Sequence, residues 1–306
     1  MHGGQSTANF LLRYKWRTMK VVSREKILKG WSADQKYCIT AENGQRYLLR
    51  ISPHEQELGK RTEFLYMQKA FDQGVSMCQP LEFGVCDEGV YSIQSWVDGV
   101  DAEQHIATIS PENQYTYGVF AGKQLAKIHK IEAPHDFPNW EVVFNKKIDR
   151  KLELYQNCPI KIENAHCLVE YIERHRHLLA GRPCVFQHGD FHIGNMMVDK
   201  DGKLIVIDFN RADFGDPYEE FNRLVWSAQA CPCFATGIVD GYFDGNVPIE
   251  FWQLVALYVA TNTISSVPWA IPFGQEEIDV MLNQARDVLQ WYDNMKTCIP
   301  KWYKKP

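Results

Sequence analysis

The stretch His188-Gly189-Asp190-Phe191-His192-Ile193-Gly194-Asn195, followed by Ile207-Asp208-Phe209, decides how this chain of 306 residues is read. Three short apolar runs, Cys184–Phe186, Met196–Val198 and Leu204–Ile207, lie around these polar motifs and read as short strands. The turn Asp199-Lys200-Asp201-Gly202 joins the last two. A hairpin of this kind carries Asn195 at the start of one strand and Asp208 at the end of the next, with both on one edge. Phosphoryl transfer needs such a set: a carboxylate facing the attacking hydroxyl, and an amide with a second carboxylate to hold Mg²⁺ against nucleotide phosphates. The flanking runs are too apolar for a solvated surface turn.

Upstream, the first third alternates like a sheet around one helix. Lys36–Thr40 and Arg46–Ile51 flank Glu42-Asn43-Gly44, and Asn-Gly between alternating runs is a strong hairpin signal. Pro53 opens a helical stretch to about Phe71, with Gly74 as its stop. Two more strands are expected at Leu81–Cys86 and Val90–Trp96. After Gly99 the character turns helical. Ser110-Pro111-Glu112 combines an N-cap, a proline at the first helical position and an acid in the first turn, so a helix is expected to run to His129. Further helices are expected at Phe144–Gln156, Ile162–Leu179, Tyr218–Ala230, Ile249–Ser265 and Glu276–Met295. The pattern is α+β, with a β-rich N-terminal lobe and a mainly helical C-terminal lobe. The expected division is 1–97 and 98–306, with residues 1–20 as an arm outside the fold.

Composition narrows the class of partner. Apolar residues make up 45% and charged residues 23%, ordinary for a globular chain. A net charge of −5 argues against nucleic acid, which needs a basic stripe. No run of 18 apolar residues was found, so no membrane span is expected. The nine cysteines are scattered and odd in number, which fits free thiols and a cytoplasmic setting better than a disulfide framework. Monomer and homodimer are both open.

The motif resembles the catalytic and metal-binding loops shared by protein kinases and the aminoglycoside phosphotransferase and choline kinase group. His-Gly-Asp in place of His-Arg-Asp, and Gly215-Asp216-Pro217 after Ile207-Asp208-Phe209, are similar to the small-molecule branch, over roughly Gly30 to Arg223. The resemblance implies the two-lobed protein-kinase-like fold, with ATP (GTP possible) and Mg²⁺ as cofactors. It implies Asp190 as the catalytic aspartate and Asn195 and Asp208 as Mg²⁺ ligands, with His188 packing beneath the loop. It also implies a lysine on the third strand, paired to a glutamate on the next helix. Arg50 stands in the lysine's place, with Glu63 as the expected partner. Arginine keeps the charge but presents a planar fork, not a point charge. Ser32, in the single-glycine loop Gly30–Gln35, is the expected phosphate donor from the covering loop. The backbone of Ser95 and Val97 is expected to read adenine.

The resemblance implies a small molecule as acceptor. Residues 209–306 hold 12 acidic against 7 basic side chains, matching the whole net charge. Asp213, Glu219 and Glu220 follow the metal loop and are the expected contacts for a polyamine such as an aminoglycoside antibiotic. Asp216 reads equally as a structural group. A metabolite kinase for choline, ethanolamine, homoserine or a sugar fits the same motifs, and so does an inactive nucleotide-binding regulatory module. No Ala-Pro-Glu segment follows Asp208, which argues against a protein kinase.

Overall fold

The computed structural model describes residues 19–28 and 34–306. The chain divides into two compact units, one made of residues up to Gly99 together with Asp199–Asn210, the other of Val100–Val198 and Arg211–Pro306.

The first unit is built on one antiparallel sheet. Its strands are β1 (Val21–Ile27), β2 (Gln35–Ala41), β3 (Arg46–Ser52), β4 (Pro80–Cys86) and β5 (Gly89–Ser95), in the order β1-β2-β3-β5-β4. The expected hairpin is present: Thr40 pairs with Arg46, and Gly44 takes φ 81° in the turn. Asn43 Oδ1 accepts the Gln45 N–H at 3.0 Å, a local bond that favours the turn over extension of the strand. Ile39, Leu49, Ile51 and Ile93 are buried, with Val21 and Tyr91 beside them, and form the sheet's core. Helix α1 (Glu57–Asp72) buries Phe64, Tyr66, Met67 and Ala70 and ends before Gly74 at φ 74°. The expected single cut near residue 97 misses the return of Asp199–Asn210 to this unit. Two bonds explain the return: Ser76 Oγ donates to Leu204 C=O at 2.7 Å, and Val206 N–H donates to Ser76 C=O at 2.8 Å.

The second unit is helical. Its helices are α2 (Ala102–Ile106), α3 (Pro111–Ile128), α4 (Trp140–Gln156), α5 (Ala165–His175), α6 (Leu224–Ala230), α7 (Pro232–Phe243), α8 (Ile249–Ala270) and α9 (Gln275–Trp291). Ser110 caps α3 as expected, accepting from Asn113 N–H. The single helix expected over Tyr218–Ala230 is instead a 3₁₀ segment, Glu219–Arg223, followed by α6. Helix α7 was not anticipated, although Pro232 stands at its first turn. It packs on α3 through glycine: a Cβ on Gly122 would lie 2.0 Å from Ile238 C=O, and one on Gly118 2.1 Å from Phe234 C=O. Helix α8 runs past the expected end at Ser265, through Pro268. With the residues that follow it, Ile249–Phe273 is long and apolar enough, at a mean hydropathy of 1.4, to match a membrane-crossing helix by length and composition alone. It nevertheless packs within the unit against α4, α5 and α9, with Leu254, Ala256, Leu257 and Ala260 fully buried.

Candidate active site

In the second unit, a short antiparallel pair, Val185–Gln187 with Asp213–Gly215, leads the chain into the loop 188–195. Gly189 sits at φ 80°, where a Cβ would lie 1.9 Å from Arg211 C=O, so no other residue fits without moving the backbone. The loop is held from beneath. Glu220 is 1% exposed, and its carboxylate accepts Gly189 N–H at 3.1 Å and Phe191 N–H at 3.3 Å. Burial works to raise the Glu220 pKa, but His129, His188 and the Gly189 N–H outweigh it and hold the carboxyl below its usual range. Ser227 Oγ accepts Ile193 N–H at 3.0 Å. His188 is fully buried, as expected of a packing group, and its Nδ1 accepts Asp190 N–H at 3.3 Å.

Asp190 and Asn195 meet directly. Asn195 Nδ2 donates to the Asp190 C=O at 2.9 Å and to its Oδ2 at 3.2 Å. Arg223 Nε lies 3.3 Å from Asp190 Oδ1, and Arg211 Nη1 and His192 Nε2 lie 3.6 and 3.7 Å from Oδ2. Burial opposes ionisation of Asp190, yet His192, Arg223 and Arg211 prevail and hold its carboxyl well below the usual range. It is therefore an ionised hydrogen-bond acceptor at neutral pH and a weak proton base. The Asn195 amide oxygen makes none of these bonds, which leaves it for a hard cation that prefers oxygen.

In the first unit, Arg50 is 4% exposed and grips two carboxylates. Its Nε and Nη2 donate to Asp34 Oδ2 at 3.2 and 2.9 Å, and its Nη1 donates to Asp208 Oδ1 at 2.6 Å. Asp34 also accepts from Ser52 Oγ at 2.7 Å and Lys60 Nζ at 3.1 Å. Burial would raise the Asp34 pKa, but Arg50 and Lys60 lower it further. Glu63, the expected partner of Arg50, bonds to Lys60 at 3.0 Å and also interacts with Arg50 through charge, and burial raises its pKa. The carboxylates bonded to Arg50 thus come from Asp34, just before β2, and from Asp208, and Glu63 on the helix adds its charge. Asp208 takes φ 67°, a left-handed backbone that turns it out of the preceding strand. Ser95 and Val97 border a cavity of about 240 Å³ with Met77, Trp96 and Ile205. The Ser95 N–H is bonded to Gln79 C=O at 2.9 Å. Ser32 lies outside the described residues.

The phosphotransferase enzyme family model matches residues 23–252. The chain belongs to that family. It is a small-molecule kinase whose acceptor is an alcohol group, and it has the protein-kinase-like fold. A choline/ethanolamine kinase family protein from Mesorhizobium loti is 17% identical, with TM-score 0.63 over 89% of this chain and 90% of that one. The GDP complex of aminoglycoside 2′-phosphotransferase-IIIa is 13% identical, with TM-score 0.63 over 93% and 98%. An amicoumacin kinase bound to AMP-PNP, Ca²⁺ and its substrate is 12% identical, with TM-score 0.61 over 90% and 90%. No curated protein matches.

The acidic residues expected to hold a polyamine do not form a receptor. Glu220 is buried under the loop. Glu219 accepts from Lys147 at 3.1 Å and from Gln187 Nε2 at 3.4 Å. Asp216 is fully buried, gripped by Arg182 Nε and Nη2 at 2.7 and 2.9 Å and by Tyr258 O–H at 2.6 Å. Asp213 is exposed, and its Oδ1 accepts the adjacent Phe214 N–H. Sequence reasoning missed Asp34, Arg211 and Arg223, which no local pattern marks. It also missed Lys151, which a pattern does mark: the apolar stripe Trp140, Phe144, Ile148, Tyr155 along α4 has a lysine where the next apolar residue belongs.

Proposed function

We propose that this phosphotransferase moves the γ-phosphoryl group of ATP, as its Mg²⁺ complex, to a hydroxyl of a small molecule. The acceptor oxygen forms the new P–O bond as the bond to ADP breaks, and the hydroxyl proton passes to the Asp190 carboxylate. The observation that carries this reading is the Asp190–Asn195 pair: an ionised carboxylate, bonded to a neighbouring amide and braced by two arginines. Such a carboxylate orients a hydroxyl before it takes the proton, in keeping with a reaction run mainly by positioning and electrostatics. By the family's motif, Asn195 and Asp208 would each offer an oxygen ligand, and bound Mg²⁺ would neutralise charge developing on the phosphates. Two protein ligands suit an ion that keeps waters and takes phosphate oxygens for the rest. Arg50 is the phosphate-side cation. The cavity beside Ser95 and Val97 supports an adenine site, and the GDP complex of a relative keeps GTP open. Nine free thiols support a reducing, cytoplasmic setting.

Asp190→Ala tests the assignment. The variant is expected to bind ATP·Mg²⁺ by calorimetry while kcat falls at least ~10²-fold, the scale of losing a positioned base. Near-normal turnover removes Asp190 from the mechanism. A second reading, an inactive nucleotide-binding module, is favoured by the 2.6 Å bond that ties Asp208 to Arg50. ATP·Mg²⁺ binding with no transfer to any alcohol would support it.

A further inference from the structure

His192 turns its two ring nitrogens to different partners, and the first fixes the chemistry of the second. The residue stands just before the 3₁₀ turn Ile193–Asn195, and its Nδ1 accepts the Gly194 N–H at 3.1 Å. A ring nitrogen that accepts a hydrogen bond carries no proton, so the neutral ring holds its proton on Nε2. Nε2 lies 3.7 Å from Asp190 Oδ2 and 3.3 Å from Asn195 Nδ2. The Asn195 nitrogen does not accept the ring proton, because it is itself the donor to Asp190 C=O and Oδ2. Among the described residues the acceptor left for Nε2–H is the Asp190 carboxylate. The gap of 3.7 Å exceeds a hydrogen bond, and catalytic contacts often close only when substrate is bound.

Capping the turn does not account for this side chain. Asn, Asp, Ser or Thr caps a turn with a single oxygen, and the second nitrogen of His192 is surplus to that task. Gly194 makes room for the ring: a Cβ there would lie 2.9 Å from His192 Cε1 and 3.1 Å from Nδ1. Gly194 is not among the residues of positive φ, so space for the imidazole, not backbone conformation, is what its missing side chain supplies. The two oxygens of Asp190 are also unequal. Oδ2 accepts from Asn195 and has Arg211 Nη1 at 3.6 Å and His192 Nε2 at 3.7 Å. Oδ1 has Arg223 Nε at 3.3 Å, yet that nitrogen makes no hydrogen bond. The lone pairs of Oδ1 are therefore the ones open to a hydroxyl.

We propose that His192 is a positioning residue for the transfer: its Nε2–H, with the Asn195 amide, holds Asp190 Oδ2 and leaves Oδ1 for the acceptor hydroxyl. The hydroxyl O–H bond breaks as the Oδ1–H bond forms, and no proton passes through the ring. The inference rests on the phosphotransferase reading of Asp190 and names the oxygen that takes the proton.

Two variants of the full chain each keep the role of one nitrogen. His192→Asn keeps an acceptor for the Gly194 N–H but no donor toward Oδ2. His192→Gln, one methylene longer, brings an N–H near the place of Nε2 and gives up the cap. Transfer from ATP·Mg²⁺ is measured with choline, homoserine and kanamycin, and the variants are compared on the acceptor that the wild type turns over fastest. In His192→Asn kcat is expected to fall at least ~10-fold, toward the ~10²-fold scale of a misplaced catalytic group, while His192→Gln stays nearer the wild type. Thermal melting is expected in the opposite order, with His192→Asn the more stable. A role in capping alone makes the two orders agree. Turnover by His192→Asn equal to or above that of His192→Gln overturns the inference, and so does a fall in kcat matched by loss of AMP-PNP·Mg²⁺ binding in calorimetry. Histidine-selective ¹⁵N labelling reads the ring without any acceptor. The signal lost in His192→Gln is expected to be a neutral ring protonated at Nε2, and a proton on Nδ1 overturns the inference. If the wild type binds AMP-PNP·Mg²⁺ but transfers to none of the acceptors, the phosphotransferase reading fails, and the ring proton alone then tests the geometry at Asp190.

Discussion

The loop around Asp190 and the cluster around Arg50 both hold a charged group in a fixed place, but by different means. In the loop, a buried carboxylate, Glu220, holds the backbone, and the backbone holds Asp190. In the cluster, one side chain holds another: Asp34 takes two bonds from Arg50 and adds Ser52 and Lys60. A backbone cap leaves no room for a side chain at Gly189 and requires an acceptor oxygen at position 220. A side-chain network can share its members: arginine stands here for the lysine of the family pattern, with Asp34 and Asp208 bonded to it and Glu63 within its field.

The largest effect expected from breaking this comparison lies in the loop. Glu220→Ala removes the acceptor of two buried N–H groups and the carboxylate beside His129 and His188. Leaving such groups unpaired costs roughly 3 kcal/mol or more. Urea unfolding is expected to show that loss, and activity should fall with it because Asp190 loses its support. Glu220→Gln keeps one acceptor oxygen and is expected to recover part of both. Equal stability of wild type and Glu220→Ala would mean that the loop holds itself. Because the Glu220 pKa is lowered on folding, its contribution is present above its ordinary carboxyl range and is lost as pH falls below it.

A smaller effect is expected in the Arg50 cluster. Asp34→Asn keeps the shape but removes the charge, so Arg50 loses its anchor. The KM for ATP is expected to rise ~10-fold, the scale of a misplaced binding group. Glu63→Gln, aimed at the partner the family pattern implies, is expected to change it much less. The opposite order in steady-state kinetics would restore Glu63 to the family role.

The same contrast explains what the sequence could reveal. Asp190, Asn195 and Asp208 are legible because chain geometry fixes their spacing: one tight loop and one short hairpin separate them. The Asn43-Gly44 hairpin and the Ser110 cap are legible for the same local reason. The Arg50–Asp34 pair joins β3 to the residue just before β2, and its members lie 16 positions apart in the chain. Nothing in the sequence near Arg50 chooses between Asp34 and Glu63. The acidic excess of residues 209–306 was legible as a sum but misleading as a site. Burial and pairing decide which carboxylates are available, and neither is visible in composition.

The smallest expected effect concerns Lys151, and its sign can be stated in advance. Its pKa falls from an ordinary lysine value to about 7 on folding, chiefly through burial. Above pH 7 the unfolded chain therefore binds more protons at this site than the folded chain, and stability at this site rises with pH. The groups that face it are Lys147 and Arg150 on α4, Glu219 and Arg223 on the 3₁₀ segment, and the neutral Asn262 on α8. Arginines stay charged across this range, so the titration followed here is that of Lys151. Lys151→Met is expected to be more stable than wild type at pH 6.5 and to lose about 1–2 kcal/mol of that advantage by pH 8.5. Paired urea titrations at the two values measure it. A constant gap would mean that Lys151 keeps its proton throughout, and its charge would then have to be satisfied within the fold.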